Sequence, residues 1–163
     1  ISVRYLNLKK NDEVIVPCET FIATGMAVSS QGGKVVFANI NPKTFCIDLD
    51  EIKKRTTKKT KALMLVHFGG YMPHDILEIK KYCKRKKISI VEDCAHAIGS
   101  EVRGLKAGSI GTSGCFSFFS TKTITTGEGG MLTTNDKKLY EFLELLMDLK
   151  SLFLDHLYLF LFC

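Results

Sequence analysis

A chain of 163 residues, 45% of them hydrophobic, is long enough for one ordinary domain with a real core and too short for two. The 23 Lys+Arg outnumber the 17 Asp+Glu, for a net charge of +6, with most of the excess in residues 53–61 and 80–87. Those runs lack the aromatic interleaving of a nucleic-acid binder and read as solvated lysine-rich faces, able at most to steer phosphorylated anions toward the molecule.

In chain order, residues 13–16 (EVIV) predict a strand, and a helix follows over about 21–30, its small residues suited to close packing on a sheet. Gly32-Gly33 ends that helix. Residues 35–37, 62–66 and 88–91 predict three further strands. Between the last two, Ile76, Ile79 and Cys83 mark the buried face of a helix over 75–86 whose other face carries lysines. Residues 115–119 and 131–134 are strand-like, and 137–150 predicts a helix with Leu139, Phe142, Leu143 and Leu146 inward. Continuous apolar strands alternating with amphipathic helices imply an α/β three-layer sandwich around a mostly parallel sheet. Ligands of such sheets bind beyond the carboxyl ends of the strands, so residues 17–21, 67–70, 93–96 and 117–122 are the candidates.

Six cysteines, Cys18, Cys46, Cys83, Cys94, Cys115 and Cys163, show no CxxC spacing, which excludes a zinc ribbon and a thioredoxin-type site and predicts reduced, mostly buried thiols. No metal site is expected. No charged-then-apolar leader opens the chain, so a cytoplasmic protein is expected, and a start without Met suggests a fragment or a processed chain. Residues 151–163 (SLFLDHLYLFLFC) are apolar but broken by Asp155 and His156, and fall short of the ~20 residues that span a bilayer. They read either as an exposed adhesive tail or as core of something larger.

Three residue groups carry chemistry. Asp93 follows an apolar strand, where a carboxylate either meets a cationic partner or caps the next segment. Lys122 closes the run CFSFFSTK and precedes the turn Gly127-Glu128-Gly129-Gly130. A partly buried lysine at a strand end suits imine formation, and a snorkelling surface lysine is the other reading. His96 alone is a weaker signal, since a lone histidine is more often a satisfied core or surface group than a ligand. The glycine-rich turn leads into a strand and lacks GxxxxGKS/T, and no GxGxxG is present, which removes the usual nucleotide loops.

From about residue 11 to 149 these segments together resemble the DegT/DnrJ/EryC1/StrS sugar aminotransferases, which have the fold type I architecture of pyridoxal-phosphate enzymes. The resemblance rests on DEVIVP at 12–17, TFIAT at 20–24, EDCAHAIG at 92–99, GCFSF at 114–118 and the stretch from Thr121-Lys122 to Gly130. It implies that Lys122 is the lysine that holds pyridoxal phosphate as a Schiff base and then shuttles a proton. It implies that Asp93 pairs with the pyridine nitrogen, that Phe21 stacks on the ring, that Ser117 donates to the phosphate, and that His96 lies near the phenolic oxygen.

The family's phosphate-binding Gly-Thr-Ala segment would precede Ile1, its small C-terminal domain is missing, and residues 151–163 have no counterpart. The resemblance therefore implies a partial cofactor-binding large domain over 1–150 with an apolar tail. It further implies a transaminase that moves an amino group, from glutamate as donor, onto a nucleotide-linked keto sugar for amino-sugar and surface polysaccharide synthesis. The full-length form is expected to be a homodimer with active sites at the interface. Lys122 separates it from the related dehydratases, which carry histidine there. The rival expectations are a non-catalytic remnant or pairing module of the same fold, and an α/β nucleotide-binding module.

Overall fold

The computed structural model describes residues 1–151 and 160–162. A short helix α1 (Ser2–Tyr5) leads to strand β1 (Glu13–Pro17), helix α2 (Ile22–Ser29), β2 (Lys34–Ala38), α3 (Leu49–Arg55) and β3 (Thr60–Val66). Then come α4 (Ile76–Lys86), β4 (Ser89–Asp93), the small hairpin β5 (Glu101–Val102) and β6 (Leu105–Lys106), β7 (Ser113–Ser117), β8 (Gly130–Thr133), α5 (Lys137–Ser151) and β9 (Phe160–Phe162). The main sheet has the order β2-β1-β3-β4-β7-β8-β9. It is parallel from β2 through β7; β8 runs antiparallel to β7, and β9 lies parallel to β8. This is the mostly parallel α/β sandwich that the alternating pattern predicts.

Side chains along a strand alternate between the two faces of a sheet, and here that alternation builds two cores. Ile15, Leu63, Leu65 and Ile90 face one side, where Ile52 of α3 and Ile76, Ile79 and Cys83 of α4 cover them. Val14, Val16, Ala62, Met64 and Val91 face the other, under Val3 of α1 and Val28 of α2. A third cluster joins Leu132 to Leu139 and Leu143 of α5. Of the four residues expected to point inward on α5, Leu139 and Leu143 are fully buried, and Phe142 and Leu146 are half-buried.

Besides α1, the β5–β6 hairpin and β9, which the sequence pattern did not predict, the structure differs from the expectations in three further places. The charged run 53–61 is divided between the last turn of α3 and the start of β3. The helix forms because Asp48 Oδ1 accepts the Glu51 amide at 3.0 Å, with acids in the first turn and Lys53, Lys54 and Arg55 in the last, the charge order that suits a helix dipole. Second, β4 extends two residues past 91, so Glu92 and Asp93 are strand residues. Third, β7 ends at Ser117 rather than 119: the Phe118 amide donates to Gly129 O and its carbonyl accepts from the Thr126 amide, which turns the chain. Lys122 is consequently a loop residue, five positions beyond the strand end where its sequence context had put it.

Cys46, Cys83 and Cys94 are buried, Cys115 is half-buried and Cys18 is exposed, whereas Cys163 lies outside the described residues. Of the apolar tail, 152–159 also lie outside them. Among the described residues, no helix is long and apolar enough to cross a membrane.

Candidate active site

The carboxyl ends of β3 and β4, Val66 and Asp93, lie side by side in register with Cys115 of β7, which runs on to Ser117. The ladder continues one residue further, because the His67 amide donates to Asp93 O and the Cys94 amide to Cys115 O. Asp93 thus sits on backbone held from both sides.

Consecutive residues of β4 point to opposite faces, and the two carboxylates there have opposite surroundings. Glu92 follows Ile90 toward the α4 side and is fully buried. Its Oε1 accepts the Ile110 and Gly111 amides at 2.7 and 2.8 Å; its Oε2 accepts the Gly108 amide and His67 Nε2–H, both at 2.9 Å. Burial pushes this carboxyl up, but the hydrogen bonds from His67, Gly111 and Gly108 outweigh it and hold the group below the ordinary glutamate range. The loop approaches β4 closely: a Cβ on Gly111 would lie 2.4 Å from Ile90 O.

Asp93 follows Val91 toward the α2 side and is half-buried. Its Oδ2 accepts from Thr24 Oγ1 at 2.8 Å and its Oδ1 from the Ala95 amide at 3.2 Å. No helix follows, since the next element after β4 is β5. The capping alternative for Asp93 is therefore realised only as a local turn. Two bonds leave acceptor capacity on a group that can hold about four.

His67, Glu92 and Cys94 bring potential metal-ligating atoms within 4.8 Å of one another. Four donors already occupy the Glu92 oxygens, and burial pushes the Cys94 thiol far up, away from the thiolate a metal needs. The trio is a structural knot that ties the loop at 108–111 to two strand ends.

His96 and Lys122 meet on the exposed side. The Gly69 amide donates to His96 Nδ1 at 3.3 Å, so a neutral ring carries its proton on Nε2, the atom 3.1 Å from Lys122 Nζ. Phe68 and the imidazole pack nearly at right angles with centroids 5.9 Å apart, and Phe45 packs on Phe68. Gly69 lies within a 3-10 turn over Phe68–Gly70, with φ +59.

Asp93 and Ser117 share a cleft of about 620 Å³ with Thr24, Ala95 and Gly129, within the size range of small-molecule sites. Lys122, His96 and Phe21 do not line it. Ser117 Oγ accepts the Phe119 amide at 3.3 Å. Phe21 stands at the N-cap of α2, 76% exposed. The structure therefore pairs Lys122 with His96 and groups Asp93 with Ser117, and leaves Phe21 on the rim.

Sequence reasoning passed over Thr24, Glu92 and His67 as individual participants. Two signals were available: the Thr-x-x-x-Thr spacing of Thr20 and Thr24 at a helix start, and a glutamate at a core-facing strand position, which needs several donors.

Comparison with known proteins shows the family and the fold. GDP-perosamine synthase of Escherichia coli O157:H7 is 43% identical over 141 residues, covering 86% of this chain and 38% of the relative. An aminotransferase from Psychrobacter cryohalolentis superposes with a TM-score of 0.86 at 34% identity, over 96% of this chain and 41% of that one. A Streptococcus pneumoniae protein solved in a PLP-form superposes with a TM-score of 0.78 at 30% identity, over 93% and 42% of the two chains. The chain thus spans about two-fifths of the length of the proteins it matches. The family profile described as "DegT/DnrJ/EryC1/StrS aminotransferase family" matches residues 1–150. With that match over most of its length, and with these superpositions, the chain belongs to the DegT/DnrJ/EryC1/StrS aminotransferase family.

Proposed function

We propose that residues 1–150 form part of the cofactor-binding domain of a pyridoxal-phosphate-dependent aminotransferase acting on nucleotide-linked keto sugars, with 151–163 as a separate apolar tail. The observation that carries the reading is an amine and a carboxylate with unspent hydrogen-bonding capacity at the carboxyl edge of one parallel sheet, both held by defined partners.

The residues present suit pyridoxal phosphate. Asp93 keeps free acceptor sites beside a cleft of adequate size, and the Ser117 hydroxyl opens on the same cleft. When bound, the cofactor supplies an aldehyde that condenses with amines and a ring that takes up the electrons released when a proton leaves the substrate carbon. Asp93 would keep a proton on the ring nitrogen, and Ser117 would donate to the phosphate. Lys122 Nζ, 3.1 Å from His96 Nε2, would be the nucleophilic amine once that contact is released, and would later carry the proton between carbon atoms. His96 orients that amine and would contact the phenolic oxygen. Phe21 would lie over the ring.

Glutamate as amino donor and a nucleotide-linked keto sugar as acceptor complete the proposal; the likeness to GDP-perosamine synthase supports the acceptor. Ile22 and Met26 are 69 and 59% exposed one turn apart on α2, an apolar rim that supports pairing with a second copy. A cytoplasmic location fits this chemistry.

The test is an absorbance titration of the purified chain with pyridoxal phosphate, alongside Lys122→Ala and Asp93→Asn. A saturable visible band that Lys122→Ala lacks and Asp93→Asn weakens is expected. A band of equal size in all three would show adventitious reaction with surface lysines, and would favour a pairing module without chemistry.

A further inference from the structure

We infer that Thr24, backed by Thr20, is a positioning residue that aims the Asp93 carboxylate. The inference rests on the reading of Asp93 as the group that faces the cofactor's ring nitrogen. Thr24 is 4% exposed, lies in the first turn of α2 and lines the same cleft as Asp93. Its Oγ1 is 2.8 Å from Asp93 Oδ2 and 2.8 Å from Thr20 Oγ1.

The direction of this chain of bonds follows from the groups themselves. An ionised carboxylate only accepts, so the single Thr24 hydroxyl proton goes to Asp93. Thr24 can then meet Thr20 only as an acceptor, and Thr20 must donate. The two bonds run head to tail, each polarising the next toward the carboxylate. Thr20 lies just before the extended Phe21 N-cap, and the chain's entry into α2 brings its hydroxyl to that of Thr24.

Hydroxyls inside helices commonly bond back to the carbonyl four residues earlier. Among the described residues, Ser29 bonds to Gly25 O in this way, and Thr56, at the C-cap of α3, to Ile52 O. Thr24 instead reaches across to a different element. Its partner bond, from the Ala95 amide, reaches the other carboxylate oxygen. One donor would leave the carboxylate free to rotate about its last torsion, whereas two donors on different oxygens fix its plane. The acceptor sites that remain keep one direction toward the cleft.

The test uses the full chain with Thr24→Val, which keeps the shape and removes the hydroxyl, Thr24→Ser, which keeps the hydroxyl, and Thr20→Val. Pyridoxal phosphate affinity, the position of the bound absorbance maximum and the thermal midpoint are measured for each. Thr24→Val is expected to bind about tenfold or more weakly, as for loss of a hydrogen bond to a charged group, with a displaced maximum. Thr24→Ser should restore both, and Thr20→Val should weaken binding by about threefold through the lost polarisation.

Wild-type affinity and spectrum in Thr24→Val, or a Thr24→Ser as weak as Thr24→Val, would overturn the inference and leave the functional reading standing. If Thr24→Val fails to fold, Thr20→Val decides by the same readouts, and unchanged binding there overturns the inference. No binding by the wild-type chain overturns the functional reading and this inference with it.

Discussion

Glu92 and Asp93 are neighbours in one strand, with the same functional group, and do opposite things. Glu92 is turned toward the α4 side, where four donors consume its oxygens and leave no exposure. Asp93 is turned toward α2, where two donors fix it and a cleft keeps its remaining capacity open. The pleat of the strand makes this division. A buried carboxylate with every lone pair engaged is structure, and a half-buried one held but unsaturated is available for chemistry.

Substitutions should separate the two sides, beginning with the largest effect. Glu92→Ala would strand His67 and three backbone amides in the interior, at an expected cost of about 3–5 kcal/mol, read as a lower urea midpoint. Asp93→Asn should change stability by about 1 kcal/mol or less while weakening cofactor binding. Equal losses of stability from both would erase the distinction.

Glycines sharpen the same contrast. A Cβ on Gly114 would meet Gly108 Cα at 2.3 Å, backbone that cannot step aside, whereas one on Gly127 meets nothing within 4 Å. Gly114→Ala should cost about 1–3 kcal/mol, and Gly127→Ala about 1 kcal/mol for its positive φ of +81, both by thermal denaturation.

The pH dependence is smaller and has a definite sign. The Glu92 carboxyl is depressed in the folded state, so its contribution is complete above the ordinary glutamate value and is lost as pH falls through the lower folded value. Melting curves should show that acid limb in the wild type, and Glu92→Gln should flatten it. An unchanged limb in Glu92→Gln would assign the acid loss to other groups.

The smallest effect concerns thiols. Burial pushes Cys46 and Cys83 up to about 11, while Cys18 is exposed. Brief alkylation at neutral pH, mapped by mass spectrometry, should mark Cys18 before either of them.

Much of this was legible in the sequence because the strands are continuous apolar runs and α4 shows a clean helical period. The mostly parallel sheet and its carboxyl edge follow from those two patterns. Helix α3 was obscured by its own lysines, since a charge run looks alike in a helix end and in a loop until the Asp48 cap is seen. The end of β7 was misplaced because Phe116, Phe118 and Phe119 continue the apolar pattern, while the pairing of Phe118 is decided by Thr126 and Gly129, further along the chain. At the site, motif residues were visible one by one. Which of them touch was not: the Thr24 bond to Asp93 spans 69 positions and the His96 contact with Lys122 spans 26.

The most direct test of the account is to reduce the chain with borohydride after brief exposure to stoichiometric pyridoxal phosphate, and to map the pyridoxyl mass by peptide sequencing. The account predicts label concentrated on Lys122, and lost from that peptide in Asp93→Ala although the lysine is intact. Label spread over the lysine runs at 53–61 and 80–87, with Lys122 no more modified than they are, would contradict it.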